Sequence, residues 1–149
     1  MKIGILYLVM IALFFHFSVN FLKAADNKLD PVIVDNAKNQ VMLFYNALRN
    51  GDINGIKQRI SEEFYQSKKT LLDHNEEYPN FLREYYNGVE IYIANATMLD
   101  DAIIMEVEIR FPNGTKNLSK IHLRRQDNVA MAGSQMKDSE IWKVSEVTK

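Results

Sequence analysis

Apolar residues recur at two different spacings along this chain, and the change of spacing divides it into a helical part and a β-rich part. Between positions 31 and 87 the apolar side chains return every three or four residues, which is the spacing of amphipathic helices. Asp30 before Pro31 predicts where the first helix begins, and Gly51 predicts where it ends. Asp52 then predicts the cap of a short second helix.

Two more helical segments are predicted before the spacing changes. Ser67 predicts the cap of a third helix that ends near Asn75. The pattern of residues 61–65 favours neither a helix nor a strand. Tyr78 and Pro79 begin a fourth helical segment, which the Asn-Gly pair at positions 87 and 88 ends.

After position 88 apolar residues alternate with polar ones, which is typical of strands that bury one face. The alternation predicts four strands, over residues 89–94, 103–111, 119–124 and 141–147. The Pro-Asn-Gly sequence at positions 112–114 predicts a tight hairpin between the second and third strands, because Asn-Gly tolerates positive φ. Helices followed by antiparallel strands predict the α+β class, with the helices packed on one face of a curved four-stranded antiparallel sheet.

Length and composition restrict the class of protein further. The chain has 149 residues, of which 47% are hydrophobic and 25% charged, and this fits one globular domain. It contains no cysteine, so disulfides, thiolate metal sites and cysteine nucleophiles are excluded. With 18 basic and 19 acidic residues the formal net charge is −1, so we expect no nucleic-acid partner.

Residues 1–25 are predicted to be a secretory signal peptide or a membrane anchor. Lys2 precedes an apolar run from Ile3 to Leu22, and no acidic residue occurs before Asp26. Cleavage is expected beside the alanines at positions 24 and 25, although neither site matches an A-x-A pattern, and the run is also long enough to span a bilayer. Residues 26–149 are therefore the predicted exported domain, either periplasmic or extracellular, or anchored by a single membrane pass.

Two motifs resemble the nuclear transport factor two-like superfamily, which includes SnoaL-like proteins and belongs with the cystatin-like α+β cones. The first, F-Y-N-A-L-R-N-G-D, begins at Phe44, and the second, I-W-K-V, ends at Val144. The resemblance covers residues 35–147. It implies a cone-shaped cavity between helices and sheet but no particular reaction, because one fold supports many functions.

The sequence lacks the usual motifs of metal, cofactor and nucleophilic chemistry. His74 and His122 are far apart and have no second ligand at a metal-binding spacing, and the six glycines form no phosphate loop. We therefore expect no metal and no cofactor. The resemblance also implies an enzymatic alternative, a SnoaL-like isomerase, cyclase or dehydratase that uses general acid–base catalysis, with Asp52, Asp73 and His74 as candidate groups from the helices.

The inward-facing positions of the predicted sheet are all apolar, so the implied cone is expected to be apolar and to lack a base. Its expected ligand is an apolar small molecule. The candidate contact residues are Tyr45, Tyr65, Tyr85, Tyr86, Met105 and Trp142. The alternative is that these rings pack in the core with the tyrosine hydroxyls at its rim.

The outward-facing positions of the sheet carry charges of both signs. Strand alternation places Glu106 and Glu108 on one strand beside Lys120, His122 and Arg124 on the next. Opposite charges on neighbouring strands contribute roughly 0.2–1 kcal/mol a pair. This face is predicted to be either solvated or the interface of a homodimer, because members of the resembling superfamily often dimerise through the sheet.

Together these features favour an exported, non-catalytic binding or interaction protein with an apolar cone. The alternatives are the SnoaL-like enzyme and a membrane-anchored assembly subunit of a secretion system, since periplasmic domains of such subunits share this general fold. A membrane is expected as a partner only if residues 1–25 stay uncleaved.

Overall fold

Four helices precede four strands in the computed structural model, which describes residues 29–126 and 142–149. The helices are α1 (Pro31–Asn50), α2 (Ile53–Arg59), α3 (Glu62–His74) and α4 (Tyr78–Tyr85). The strands are β1 (Glu90–Leu99), β2 (Ala102–Arg110), β3 (Lys116–Arg125) and β4 (Trp142–Thr148). This order confirms the α+β class. The predicted signal peptide or anchor, residues 1–25, lies outside the described residues.

The first two helices begin at the aspartates that the sequence predicts as caps. An oxygen of Asp30 accepts a hydrogen bond from the backbone N–H of Val32 at 2.9 Å, and Pro31 takes the first helical position. Asp52 accepts in the same way from the N–H of Gly55 at 2.9 Å. Each carboxylate satisfies a backbone donor that has no partner within the first turn of its helix, so both predictions are confirmed.

The third helix begins earlier than predicted. Ser61, not Ser67, is its cap, and the Ser61 hydroxyl accepts a hydrogen bond from the N–H of Phe64 at 3.2 Å. Ser67 lies inside the helix, where its hydroxyl donates to the Phe64 carbonyl at 2.7 Å. The two serines are equally good caps in isolation, and a contact with the sheet decides between them: the N–H of Ser61 donates to the Val144 carbonyl at 2.8 Å.

The strands form one sheet in the order β1-β2-β3-β4, and every neighbouring pair is antiparallel. This confirms the predicted four-stranded antiparallel sheet. The hairpin between β2 and β3 turns at Gly114, whose φ is +84°. β3 extends from Lys116, three residues before the predicted start, because the hairpin brings residues 116–118 into register with β2.

The core lies between the helices and one face of the sheet. Alternation in β2 and β3 is confirmed, since their inward positions are buried, and the two inward isoleucines of β1 are partly buried against them. α1 supplies most of the apolar side chains that cover this face. The main buried residues are Ala37, Val41, Phe44, Tyr45 and Leu48 on α1, and Ile103, Met105, Val107, Ile109, Ile121, Leu123 and Val144 on the sheet.

A left-handed turn at Gly51 sets the angle between α1 and the helices that follow. Gly51 has φ of +61°, and the N–H of Asp52 donates to the Ala47 carbonyl at 2.9 Å. A side chain at position 51 would place its Cβ under 3.0 Å from the carbonyl oxygen of Pro79 on α4. Only glycine therefore allows α4 to pack this closely against the end of α1.

We predict that Gly51→Ala destabilises the protein far more than Gly114→Ala. Alanine at either position has positive φ, which costs about 1–2 kcal/mol. At Gly114 no atom lies within 4 Å of the added Cβ, whereas at Gly51 the Cβ also collides with Pro79. We expect about 1 kcal/mol for Gly114→Ala and about 3 kcal/mol or more for Gly51→Ala, measured by urea unfolding. Equal losses would contradict this account of the turn.

Candidate functional site

The side of the sheet opposite the helices, which we call the outer face, carries the charged residues that the sequence predicts together. Apart from Ala102, the buried side chains of β2 and β3 have odd numbers, so the even-numbered positions point outward. The register places Glu106 opposite Lys120 and Ile104 opposite His122. The outer-face charges on these two strands include Glu106, Glu108, Lys120, His122 and Arg124.

The ion pairs on the outer face differ from the direct cross-strand pairing of acidic and basic residues that the sequence suggests. Glu108 pairs with Arg110 on its own strand and with Lys116 of β3, whose Nζ is 3.4 Å from a Glu108 oxygen. These contacts, that of Arg110 first, lower the pKa of Glu108 below its usual value. Within the described residues Glu106 and Lys120 form no ion pair although they lie opposite each other.

An aromatic side chain extends this network onto β1. The guanidinium carbon of Arg110 lies 3.8 Å from the centroid of the Tyr92 ring, which is a close cation–π contact. The Tyr92 hydroxyl donates to Glu90 at 2.7 Å, and this bond raises the pKa of Tyr92. Arg110 therefore joins β1 and β2 on the outer face through one ring and one carboxylate.

Apolar side chains lie exposed beside these charges, and the most prominent one, Leu118, lies just outside the strand predicted from residue 119. Leu118 is 68% exposed, and Leu99 and Tyr92 on β1 are also exposed. Leu118 points outward with Lys120 because both are even-numbered positions of β3. Continuing the strand alternation toward the hairpin, past Ser119, would have identified it.

Charge on the outer face is divided by strand. The acidic side chains Glu90, Glu106 and Glu108 lie on β1 and β2, and the basic side chains Lys116, Lys120 and Arg124 lie on β3. Arg110 on β2 is an exception, and it is engaged with Glu108 and Tyr92. On β4, Glu146 lies opposite His122, with an oxygen 3.9 Å from the His122 Nδ1. The face therefore has an acidic part and a basic part, with Leu118 between Lys116 and Lys120.

The predicted ligand-contact residues do not converge on one site. Met105, Tyr45 and Trp142 belong to the buried core cluster. Burial raises the pKa of Tyr45 well above its usual range and that of Tyr86 to about 12. The two rings pack edge to face with centroids 6.1 Å apart.

Tyr85 lies at the surface, on the other side of Tyr86 from the core. Its side chain is 44% exposed, and its ring packs against Phe81 at 5.7 Å and against Phe111 at 5.5 Å. Tyr86 connects it to the core, with ring centroids 5.0 Å apart. Tyr85 on α4 and Tyr86 directly after it thus form, with Tyr45 on α1, a continuous aromatic contact from the core to the surface rather than the wall of one pocket.

Tyr65 and Asp73 form an ionic cluster that joins α2 to α3. The Asp73 carboxylate accepts from the Tyr65 hydroxyl at 2.7 Å, and it lies 2.6 Å from the ammonium groups of both Lys57 and Lys69. These contacts hold the pKa of Asp73 far below its usual value, with the bond from Lys57 the largest cause. Lys57 lies on α2 and the other three on α3, so the cluster fixes the two helices together.

The three candidate acid–base residues take different structural positions. Asp52 caps α2, and Asp73 is held by the two lysines. His74 is the last residue of α3 and is exposed. The sequence predicted the cap at Asp52 but not the partners of Asp73.

We predict that Asp73→Asn lowers stability at pH 7 and that this loss shrinks as the pH falls from about 4 toward 2. Because the folded chain lowers the pKa of Asp73, its stabilisation is present above about pH 4 and is lost as the pH falls toward the folded-state pKa. The measurement is the urea midpoint of both proteins between pH 7 and pH 2. Asp35→Asn, at an exposed position of α1, is the control and is expected to change little. A midpoint difference independent of pH would contradict the ionic role.

Within residues 29–126 and 142–149, no group of three or more histidine, aspartate or glutamate side chains is arranged to hold a metal ion. In the same ranges, no helix has both the length and the hydropathy required to cross a membrane. Among known proteins, no family model and no curated protein matches this chain.

Proposed function

We propose that this chain is an exported, non-catalytic interaction protein that forms a homodimer through the outer face of its sheet. The single observation that carries this proposal is the exposure of Leu118, at 68%, among charges that are divided by strand. Exposed apolar side chains surrounded by polar ones are typical of protein–protein contact surfaces.

The division of charge favours a second copy of the chain as the partner. In a two-fold interface the same surface meets itself, so one subunit's β1–β2 part can face the other subunit's β3. The carboxylates of Glu106 and Glu108 would then oppose the ammonium groups of Lys116 and Lys120. Opposite charges brought together in this way favour one orientation of the two subunits.

The state of the candidate bases supports a non-catalytic protein. A general base acts best when its pKa lies near the working pH. Asp73 is driven in the opposite direction, because two ammonium groups stabilise its ionised form. Asp52 uses one of its oxygens to cap α2. Both carboxylates thus have local structural roles that account for their positions.

We also propose that the fold is that of the nuclear transport factor two-like superfamily, with an apolar cone between helices and sheet. The support is the element order, the turn at Gly51 and Asp52 after α1, and the apolar inward positions of β2 and β3. Tyr45, Met105 and Trp142 would line such a cone from the helix and sheet sides.

We predict that Leu118→Glu converts a dimer into a monomer, measured by sedimentation velocity. A carboxylate at position 118 would replace an apolar contact by a charge that faces the acidic β1–β2 part of the other subunit, so we expect at least a tenfold rise in the dissociation constant. Val32→Glu is the matched control, because Val32 is 63% exposed but lies in the first turn of α1. An unchanged dimer in Leu118→Glu, or a monomeric wild type, would contradict the interface.

We predict further that reversing single charges weakens the dimer and that the paired reversal restores it. Glu106→Lys and Lys120→Glu each place like charges together across the two-fold axis, whereas the double variant recovers opposite charges. The measurement is the dissociation constant at low and high salt. Loss of association in the double variant as well would contradict charge complementarity.

We predict that the exported protein starts at Ala25 or Asp26. The measurement is the intact mass after expression with export, because cleavage removes the apolar run and leaves a defined first residue. An intact chain that requires detergent would instead support the membrane-anchored assembly subunit.

A further inference from the structure

A row of aromatic rings lies along one side of helix α4. Tyr78, Phe81 and Tyr85 are three or four residues apart, so their side chains share one side of the helix. Neighbouring rings are nearly parallel, at angles of 15° and 26°, and their centroids are 6.1 Å and 5.7 Å apart. We call these three residues the α4 aromatic row.

The α4 aromatic row is exposed although its rings are apolar. Phe81, at its centre, is 54% exposed, whereas the neighbouring Leu82 is buried in the core. Phe111, which follows β2, supports one end of the row through its edge contact with Tyr85. Contiguous exposed rings of this kind are typical of surfaces that bind a partner.

The two tyrosines also bring hydrogen-bond donors to the row. In the part of the chain that the structure describes, the hydroxyls of Tyr78 and Tyr85 form no hydrogen bond, whereas those of Tyr65 and Tyr92 do. A phenol donates one hydrogen bond. Each of the two hydroxyls can therefore bond to an acceptor that lies over the rings.

Carboxylates border the α4 aromatic row on its exposed side. Glu77 precedes Phe81 by four residues and Glu84 follows it by three, so both exposed carboxylates lie beside the Phe81 ring. Arg83, on the same helix, is directed toward α1, where its guanidinium donates to the Asn50 carbonyl. The row therefore favours a partner that combines apolar rings with a positive charge.

We infer that the α4 aromatic row binds a proline-rich segment of a partner protein that carries a basic residue beside its prolines. Such segments adopt the extended polyproline II helix, which docks on surfaces lined by aromatic rings. One turn of that helix rises about 9.3 Å, and the axial distance from Tyr78 to Tyr85 along α4 is about 10.5 Å. Prolines three residues apart therefore contact the two ends of the row.

The backbone of such a ligand accounts for the tyrosine hydroxyls. A polyproline II helix has no internal hydrogen bonds, so its carbonyl groups remain available as acceptors. The hydroxyls of Tyr78 and Tyr85 can donate to two of these carbonyls while their rings contact the prolines. The basic residue of the ligand then lies beside Glu77 or Glu84.

Other occupants of the row are less favourable. A second copy of the chain would bring the acidic border of the row against an identical acidic border across a two-fold axis. The chain has no proline-rich segment of its own, because its three prolines, at positions 31, 79 and 112, are far apart. The row also shares no residue with the outer face, so this inference does not depend on the proposed dimer.

The test is a titration of the ¹⁵N-labelled chain with an acetylated and amidated Pro-Leu-Pro-Pro-Leu-Pro-Arg peptide, followed by amide NMR. We expect shifts confined to α4 and to the residues around Phe111. A second peptide has alanine at every proline and so loses the preorganised helix, and we expect at least tenfold weaker binding. A third peptide has leucine in place of arginine, and we expect about threefold weaker binding that no longer depends on salt.

Protein variants test the rings and the hydroxyls separately. Phe81→Ala removes the central ring, and we expect at least a tenfold loss of affinity. Tyr92→Ala removes a ring that is exposed on the outer face, and as the matched control it is expected to bind normally. Tyr78→Phe combined with Tyr85→Phe keeps every ring and the packing of α4 but removes both donors, so we expect about a tenfold loss.

Several results would overturn binding of a proline-rich segment. They are absence of binding at millimolar peptide, equal binding of the alanine peptide, and unchanged affinity of Phe81→Ala or of the double tyrosine variant. Normal binding by Leu118→Glu would support a site that is separate from the outer face. Failure of the peptide test with a wild type that still sediments as a dimer would leave the proposed function intact.

Discussion

The close approach of α4 to the end of α1 is the constraint on which the helical layer depends. At Gly51 the chain turns through a left-handed conformation, and the Pro79 carbonyl occupies the space that any side chain would need. The Arg83 guanidinium on α4 also donates a hydrogen bond, at 3.3 Å, to the carbonyl of Asn50, which is the last residue of α1. Asp52 then caps α2 immediately after the turn. One residue without a side chain thus determines where two helices stand relative to the first.

Strand alternation places the core side chains on one face of the sheet and the candidate contact residues on the other. Inward side chains of β2 and β3 are apolar and covered by α1, so their substitution would change stability before it changed recognition. Outward side chains contact one another and solvent, and their ion pairs contribute little to stability because water screens them. The same period of two that builds the core therefore directs the charged side chains of β2 and β3 to the opposite face.

Sequence patterns predicted the parts of the structure that depend on local chemistry. The caps at Asp30 and Asp52 and the inward positions of β2 and β3 follow from side-chain types and spacing alone. The start of α3 did not, because Ser61 and Ser67 are equivalent as caps until Ser61 bonds to Val144 on a distant strand. Tyr65 joins the ionic cluster through this earlier start, whereas Lys57 reaches Asp73 from α2. The extension of β3 to include Leu118 likewise depends on pairing across the hairpin.

The arrangement of charges on the outer face determines the desolvation penalty of covering this face with a partner. Burying a lone carboxylate is expensive, and burying one that keeps its counter-ions is less so. Glu108 brings Arg110 and Lys116 with it, and Arg110 is also stacked on Tyr92. Glu106 and Lys120 have no such partners on the described chain, so a second subunit can supply their opposite charges without breaking existing pairs. Leu118 lies among these groups, and removing its side chain from water would add a favourable hydrophobic contribution to the free energy of binding.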